Sequence, residues 1–237
     1  RERIMTTNVV PKLTKVDSIK TTAELAYDVV SDNYDSSYNR LEDLNEDKAL
    51  LDGLMGLNIF NKSQAYRTLD LGCGTGYLLD LLRENEIEAY NRVMKSKKYL
   101  GIDISFNMIK KAQKKHKQYK FSRFDFDCLW LDDFKLLYFN EKKFDRIVST
   151  FGSASYSSNI INLAKGVSDV LAKDGKIYLM FYQLPKYYDR EHYILNRSGL
   201  SVDLMPINRP LLEWSFKAIP NIRVCEFNKW WWVVTNG

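Results

Sequence analysis

A chain of 237 residues, 45% apolar and 27% charged, holds one α/β domain with an appendage or at most two small domains, and can bury a core without staples. Five Pro and eleven Gly exclude a linker-rich or low-complexity protein. The formal charge of +5 permits a nucleic-acid or acidic partner without demanding one.

Residues 1–20 read as a lead-in. Residues 21–33 predict a helix capped by Thr21 or Thr22, with Leu25, Val29 and Val30 along one face. Residues 37–60 predict a second helical region, with Leu41, Leu44, Leu51, Leu54 and Leu57 at helical spacing and Gly53 and Gly56 interrupting it. The pattern then changes. Arg67–Leu71 is a short apolar strand that runs into Gly72, Gly74 and Gly76, and Tyr77–Glu84 is a helix. Tyr99–Ile104 is the next strand, and Ser105 is the N-cap of a helix reaching Lys117. Strands follow at Lys120–Phe126 and at Phe144–Thr150, the latter apolar enough for burial on both faces. Ile160–Leu171 is a helix, and a turn at Lys173-Asp174-Gly175 leads to a strand at Lys176–Phe181. Asn221–Phe227 and Trp230–Thr235, separated by Asn228-Lys229, read as a tight antiparallel hairpin.

Alternating strands and helices imply an α/β fold with a doubly wound, mostly parallel sheet. Residues 1–60 are expected to form an N-terminal helical cap on a domain spanning 61–237, with 182–215 as an insertion. No run approaches 18 apolar residues, so no transmembrane helix is expected. Cys73, Cys128 and Cys225 are odd in number and widely spaced, which suggests neither a disulfide framework nor a metal site and fits a reducing, cytoplasmic setting. Arg1–Pro11 lacks a secretion-signal pattern. The chain opens on Arg1 rather than Met, as a trimmed chain or an excised domain would.

The chemistry concentrates at Leu69-Asp70-Leu71-Gly72-Cys73-Gly74-Thr75-Gly76. A strand enters glycines at alternate positions and a helix follows. Glycine suits a backbone that must turn tightly and lie against a ligand with no Cβ in the way. The helix start adds exposed N–H groups and a partial positive charge able to receive a carboxylate. The spacing is not the Gly-x-Gly-x-x-Gly of dinucleotide binders. Asp70 beside the loop suits a cationic ammonium or sulfonium and would repel a pyrophosphate.

Residues 68–82 resemble the first motif of class I S-adenosylmethionine (SAM) dependent methyltransferases, and the later signatures follow in family order. The resemblance implies the family's seven-stranded Rossmann-like sheet, with its last strand inserted antiparallel. It also implies a cofactor loop of Asp70, Gly72, Cys73, Gly74 and Gly76. Leu100-Gly101-Ile102-Asp103-Ile104-Ser105 resembles the family's second strand. That likeness implies Asp103 as the acid that holds both ribose hydroxyls, flanked by Ile104, with Met108 opening the next helix. One carboxylate can accept both hydrogen bonds of a vicinal diol. Phe124–Leu129 resembles the third-strand end, with Asp125 as acceptor from the adenine amine beside Phe126, and Asp127 its competitor. Phe144–Ser149 is similar to the fourth strand, whose end, at Ser149, faces the methyl-transfer centre.

The acceptor is expected near Ser149–Tyr156, the N-terminal helices and the segment after the fifth strand. Thr150–Tyr156 lacks both the Asn/Asp-Pro-Pro-Tyr motif of amino-methylating nucleic-acid enzymes and a Pro-Cys nucleophile. Tyr27-Asp28 and Tyr34-Asp35 resemble the tyrosine-bearing cap of small-molecule methyltransferases, which makes Tyr27 and Tyr34 candidate catalytic residues. His192 is the candidate general base. Lys110, Lys111, Lys114, Lys115, Lys117 and Lys120 read as a solvated helix face rather than a nucleic-acid track. The leading expectation is methyl transfer from SAM to O or N of a small molecule, leaving S-adenosylhomocysteine. The alternatives are an RNA or protein acceptor, a scaffold subunit that binds without transferring, and a dinucleotide oxidoreductase, which the glycine spacing disfavours.

Overall fold

The structure, a computed structural model, describes residues 22–37, 41–60, 66–85, 98–123, 143–183, 192–195, 200–203, 207–227 and 231–237. Helix α1 (Thr22–Val30) leads through 3-10 turns at Ser31–Asn33 and Asp35–Ser37 to α2 (Leu41–Gly56). Then follow β1 (Thr68–Leu71), α3 (Tyr77–Glu84), β2 (Tyr99–Asp103), α4 (Phe106–Lys115), β3 (Lys120–Arg123) and β4 (Phe144–Ser149). A 3-10 turn at Ser153–Tyr156 precedes α5 (Ile160–Val170) and β5 (Leu171–Tyr182). The chain ends with β6 (His192–Leu195), β7 (Leu200–Asp203), α6 (Arg209–Phe216), β8 (Arg223–Phe227) and β9 (Trp231–Thr235).

Seven strands form one sheet in the order β3-β2-β1-β4-β5-β9-β8. The pairs from β3 to β5 are parallel, and β9 runs antiparallel between β5 and β8. Every residue of β1 and β2 is buried, as expected of central parallel strands covered on both faces. On one face Leu69, Leu71, Ile147 and Leu179 pack with Leu163 and Val167 of α5 and Leu212 and Phe216 of α6. On the other, Val148, Tyr178 and Met180 pack with α2, α3 and α4 through Leu50, Leu54, Leu79, Leu82 and Ile109. Each fully buried side chain of this kind contributes roughly 1.5–3 kcal/mol. Gly53 lets α2 approach β5, since a Cβ there would lie 3.0 Å from the Tyr178 hydroxyl.

Helix α2 ends in a Schellman motif. The Asn58 N–H bonds to the Met55 carbonyl, the Ile59 N–H bonds to the Leu54 carbonyl, and Asn58 takes the left-handed conformation. Helix α4 begins as expected, with the Ser105 side chain accepting from the Met108 N–H. Strand β9 resolves two of the three tryptophans: Trp231 joins the core beneath α2 and α3, and Trp232 packs on the opposite core. Trp230 lies outside the described residues.

Four expectations change. Leu25 and Val29 are exposed, whereas Glu24 and Ala26 are buried. Helix α1 packs on α4 and β7 with Ala26 buried, and Glu24 pairs with Arg123 of β3. The Lys173-Asp174-Gly175 turn is a bulge inside β5, because pairing passes from Phe144–Leu171 to Arg146–Lys176. The insertion after β5 carries a two-stranded sheet, β6 with β7. Helix α6 was not anticipated, although Asn208 as N-cap and Pro at its start are ordinary helix signals.

Candidate active site

The glycine loop leaves β1 tied to the end of β2, because the Gly72 and Cys73 N–H groups both donate to the Ile102 carbonyl, at 2.8 and 3.0 Å. Gly72, Gly74 and Gly76 all have positive φ. At Gly76 a Cβ would also lie 2.7 Å from Cδ2 of buried His116. At Gly74 the nearest atom to an added Cβ is Tyr34 Cε1, 3.9 Å away, so this backbone presents an open cradle roofed by one tyrosine ring. The Cys73 side chain turns down into the core, and its Sγ would lie 2.8 Å from a Cβ on Gly101. Burial, with the Asp103 and Asp70 charges, pushes its thiol pKa well up, so it remains protonated.

Asp103 closes β2 with its carboxylate turned to the loop. Oδ2 accepts from the Gly74 N–H at 2.9 Å, and Oδ1 accepts from the Ser105 N–H at 2.8 Å. Each oxygen keeps a second lone pair, so the residue could still receive two hydroxyls of a diol. Burial pushes its pKa up to about 6, against the opposing pull of the Ser105 and Gly74 amides. Asp70 is more deeply buried. The Tyr99 hydroxyl donates to its Oδ2, and its Oδ1 has no hydrogen-bond partner among the described residues. Burial raises Asp70 to about 7. A cationic ligand group at this strand end would favour its charged form.

The fourth strand ends beside the loop. Ser149 is fully buried, and its Oγ donates to Ser153 Oγ at 3.4 Å; Ser153 Oγ lies 3.5 Å from the Gly72 carbonyl oxygen. Phe151 and Gly152 then turn the chain with positive φ. For Phe151 this conformation costs about 1–3 kcal/mol, and its ring meets Tyr77 edge-on at 5.7 Å. The turn delivers Tyr156, whose ring is T-shaped to Tyr27 at 5.6 Å and to Tyr182 at 6.3 Å. Tyr27 lies 6.3 Å from Tyr34, and Tyr182 lies 4.6 Å from Trp231. Burial, reinforced by Tyr156, Tyr182 and Tyr34, raises the Tyr27 pKa well above that of a free phenol.

The structure thus brings together Asp70, the glycine loop, Asp103, Ser149, Tyr27 and Tyr34. Met108 is buried in the first turn of α4, and Ile104 is half-buried, its carbonyl accepting from Arg123 Nε at 3.0 Å. Asp125, Phe126 and Asp127 lie outside the described residues, and His192 is described only as the first residue of β6, paired with Asp203. The basic stretch is not simply a solvated face. Lys111 reaches the Ser31 carbonyl and Asp32, while Lys115 reaches Asp35 and Asp80. Burial raises Asp80, but bonds and charges from His116 and Lys115 outweigh it and leave the pKa lowered. Sequence reading did not anticipate these contacts or the anchoring of Asp28 and Asp35; the repeated Tyr-Asp pair was the available signal. A cleft of about 850 Å³ lies between α2 and α3, with Leu51, Met55, Tyr77 and Leu81 among its walls. Among the described residues, no cluster of metal-ligating side chains forms and no helix is long and apolar enough to cross a membrane.

Comparison with known proteins bears on the fold and the family. No curated protein matches the sequence. Solved structures with the same fold include DesVI of Streptomyces venezuelae, 15% identical with a TM-score of 0.58, over 86% of this chain and 97% of that one. CcbJ of Streptomyces caelestis is 14% identical with a TM-score of 0.58, over 93% and 99%. The DhpI–SAM–HEP complex is 14% identical with a TM-score of 0.60, over 90% and 95%. A family model described as a methyltransferase domain matches residues 62–191. That match spans more than half of the chain, which therefore belongs to the methyltransferase-domain family.

Proposed function

We propose that the chain methylates an oxygen or nitrogen of a small-molecule acceptor held beneath the tyrosine cluster. The observation that carries this reading is the aromatic roof formed by Tyr27, Tyr34, Tyr156 and Tyr182. A covered site admits a small molecule more readily than a polymer. Two of the basic residues that would favour a nucleic acid, Lys111 and Lys115, are engaged with the cap. DhpI, of the same fold, is described in complex with SAM and HEP. In this reading residues 1–60 are the cap, 61–237 the catalytic domain, and 182–215 part of the acceptor side.

The residues divide the work. Asp103 accepts the ribose hydroxyls, with Ile104 and Met108 beside it and Asp125 and Phe126 toward the adenine. The loop of Gly72, Cys73, Gly74 and Gly76 offers backbone to the methionine portion, and Asp70 balances its positive charge. Bound SAM supplies an already activated methyl on a sulfonium, so the chain mainly aligns the acceptor and excludes water. Ser149 and the turn after it border the transfer position. Tyr34 is a wall over the loop. Tyr27, held protonated by burial, donates a hydrogen bond rather than removing a proton. His192 takes the proton when the acceptor arrives protonated.

The test is transfer of labelled methyl from SAM to pooled small amines, alcohols and phenols, beside bulk RNA and a protein extract. Label in the small-molecule pool alone supports the proposal. Label only in RNA or protein would overturn it.

A further inference from the structure

The cleft between α2 and α3 is lined by none of the residues assigned above to the cofactor. Its volume of about 850 Å³ falls within the roughly 300–1,000 Å³ of small-molecule sites. Helix α2 turns one stripe toward it, Leu44, Asp47, Lys48, Leu51, Asp52 and Met55, at the spacing of a single helix face. Helix α3 faces it with Tyr77, Asp80, Leu81 and Glu84, spaced in the same way.

The two stripes share one pattern. Buried Leu51 and Leu81 form an apolar floor, and Leu44, 53% exposed, and half-buried Met55 extend it along α2. The outward face of a surface helix is ordinarily polar, so these groups leave apolar surface open to a ligand. Acids outnumber cations around that floor. The carboxylates of Asp35, Asp47, Asp52, Asp80 and Glu84 face Lys48, Arg83 and Lys115, a net charge of −2. Lys115 is held by Asp35 and Asp80, and Arg83 by Asp80 and Glu84. Asp47 accepts from the Tyr77 hydroxyl at 2.8 Å, a neutral donor that leaves the carboxylate charge in place. Apolar floor and acidic walls together complement a molecule with an alkyl body and a positive end, and would repel an anion.

We propose that this cleft is a second binding site, for an amphipathic aliphatic amine. Its alkyl part lies along Leu44, Leu51, Met55 and Leu81, and its ammonium is met by Asp47, Asp52 and Glu84. The site adjoins the cofactor loop without drawing on it. Asp35 and Lys115 of its wall reach Thr75, and the Tyr77 ring lies against Phe151 of the turn after β4.

The experiment titrates the full chain calorimetrically with hexylamine, using hexanol and hexanoate as neutral and anionic matches of equal length. Saturable binding of hexylamine, weaker binding of hexanol and none of hexanoate are expected. Asp52 and Glu84 are exposed, so substitutions there leave the core intact. Asp52→Asn should weaken hexylamine about five-fold, the upper range for one ion pair at an exposed site, and adding Glu84→Gln should weaken it further. Leu44→Ser should weaken hexylamine and hexanol alike. Asp103→Ala, at the cofactor position, should leave hexylamine binding unchanged. No binding of hexylamine, equal binding of hexanoate, or binding lost in Asp103→Ala but kept in the cleft variants would overturn the proposal while leaving the cofactor site standing. Self-association abolished by Leu44→Ser would assign the cleft to a second copy of the chain, and binding of a helical Lys-Leu peptide without hexylamine would assign it to a protein partner. Either result would also overturn the amine site.

Discussion

Two buried carboxyls beside one loop make ionisation a local matter. Unfolded aspartate titrates near about 4, whereas burial holds Asp70 at about 7 and Asp103 at about 6. Between those limits the folded state binds more protons than the unfolded state, so these groups make stability fall as pH rises from about 4 to 7. Asp70→Asn removes the larger contribution. Its melting temperature, relative to wild type without ligand, should therefore climb as pH is raised from 5 to 8. A constant difference would mean that Asp70 is not held neutral by burial. Given the proposed role of Asp70 as counter-charge to the ligand ammonium, the same change should weaken S-adenosylhomocysteine binding at pH 8. In the proposed ribose-binding role Asp103 is ionised to accept both hydroxyls, so affinity for this ligand should decline as pH falls through about 6. Asp103→Ala should weaken binding by more than about 1.5 kcal/mol, read by calorimetric titration at pH 8. Equal affinity in a folded variant would remove Asp103 from the site.

Secondary-structure elements show where sequence patterns suffice. Helix α3 spans Tyr77–Glu84 as its leucine spacing requires, and the strands fall within a few residues of their apolar runs, because burial on both faces leaves few alternatives. Helix α1 is the counterexample. Its leucine and valine face the solvent because Glu24 and Asp28 find partners on β3 and α4, and a partner distant in sequence leaves no local signal. The bulge in β5 and the β6–β7 pair likewise depend on strands brought alongside only by folding. At the site, the glycines and Asp103 were legible because backbone conformation and cofactor chemistry restrict residue type. The roof was only partly legible, since Tyr156 meets Tyr27, and Tyr182 meets Tyr156, through tertiary packing. Two predictions belong here. Gly76→Ala meets both a positive φ and His116, and should cost about 1–3 kcal/mol in denaturant unfolding. Asn159 caps α5 by accepting from the Ile161 and Asn162 N–H groups, and Asn159→Ala should cost about 1 kcal/mol; no loss would show the cap to be idle.

Across the whole molecule the sheet order reverses at β1, since the chain builds β1, β2 and β3 to one side and then returns to place β4 on the other. Ligands of such sheets bind beyond the carboxyl ends of the strands at this switch point, where the glycine loop, Asp103 and the Ser149 turn converge. Tyr27 and Tyr34 of the N-terminal segment and Tyr156 after β4 meet beside this loop. The most direct test is calorimetric titration of the purified chain with S-adenosylhomocysteine, with NAD as control. Saturable one-to-one binding of S-adenosylhomocysteine and none of NAD is the predicted result. Binding of NAD, or no binding of S-adenosylhomocysteine, would contradict the assignment of this loop to a SAM cofactor.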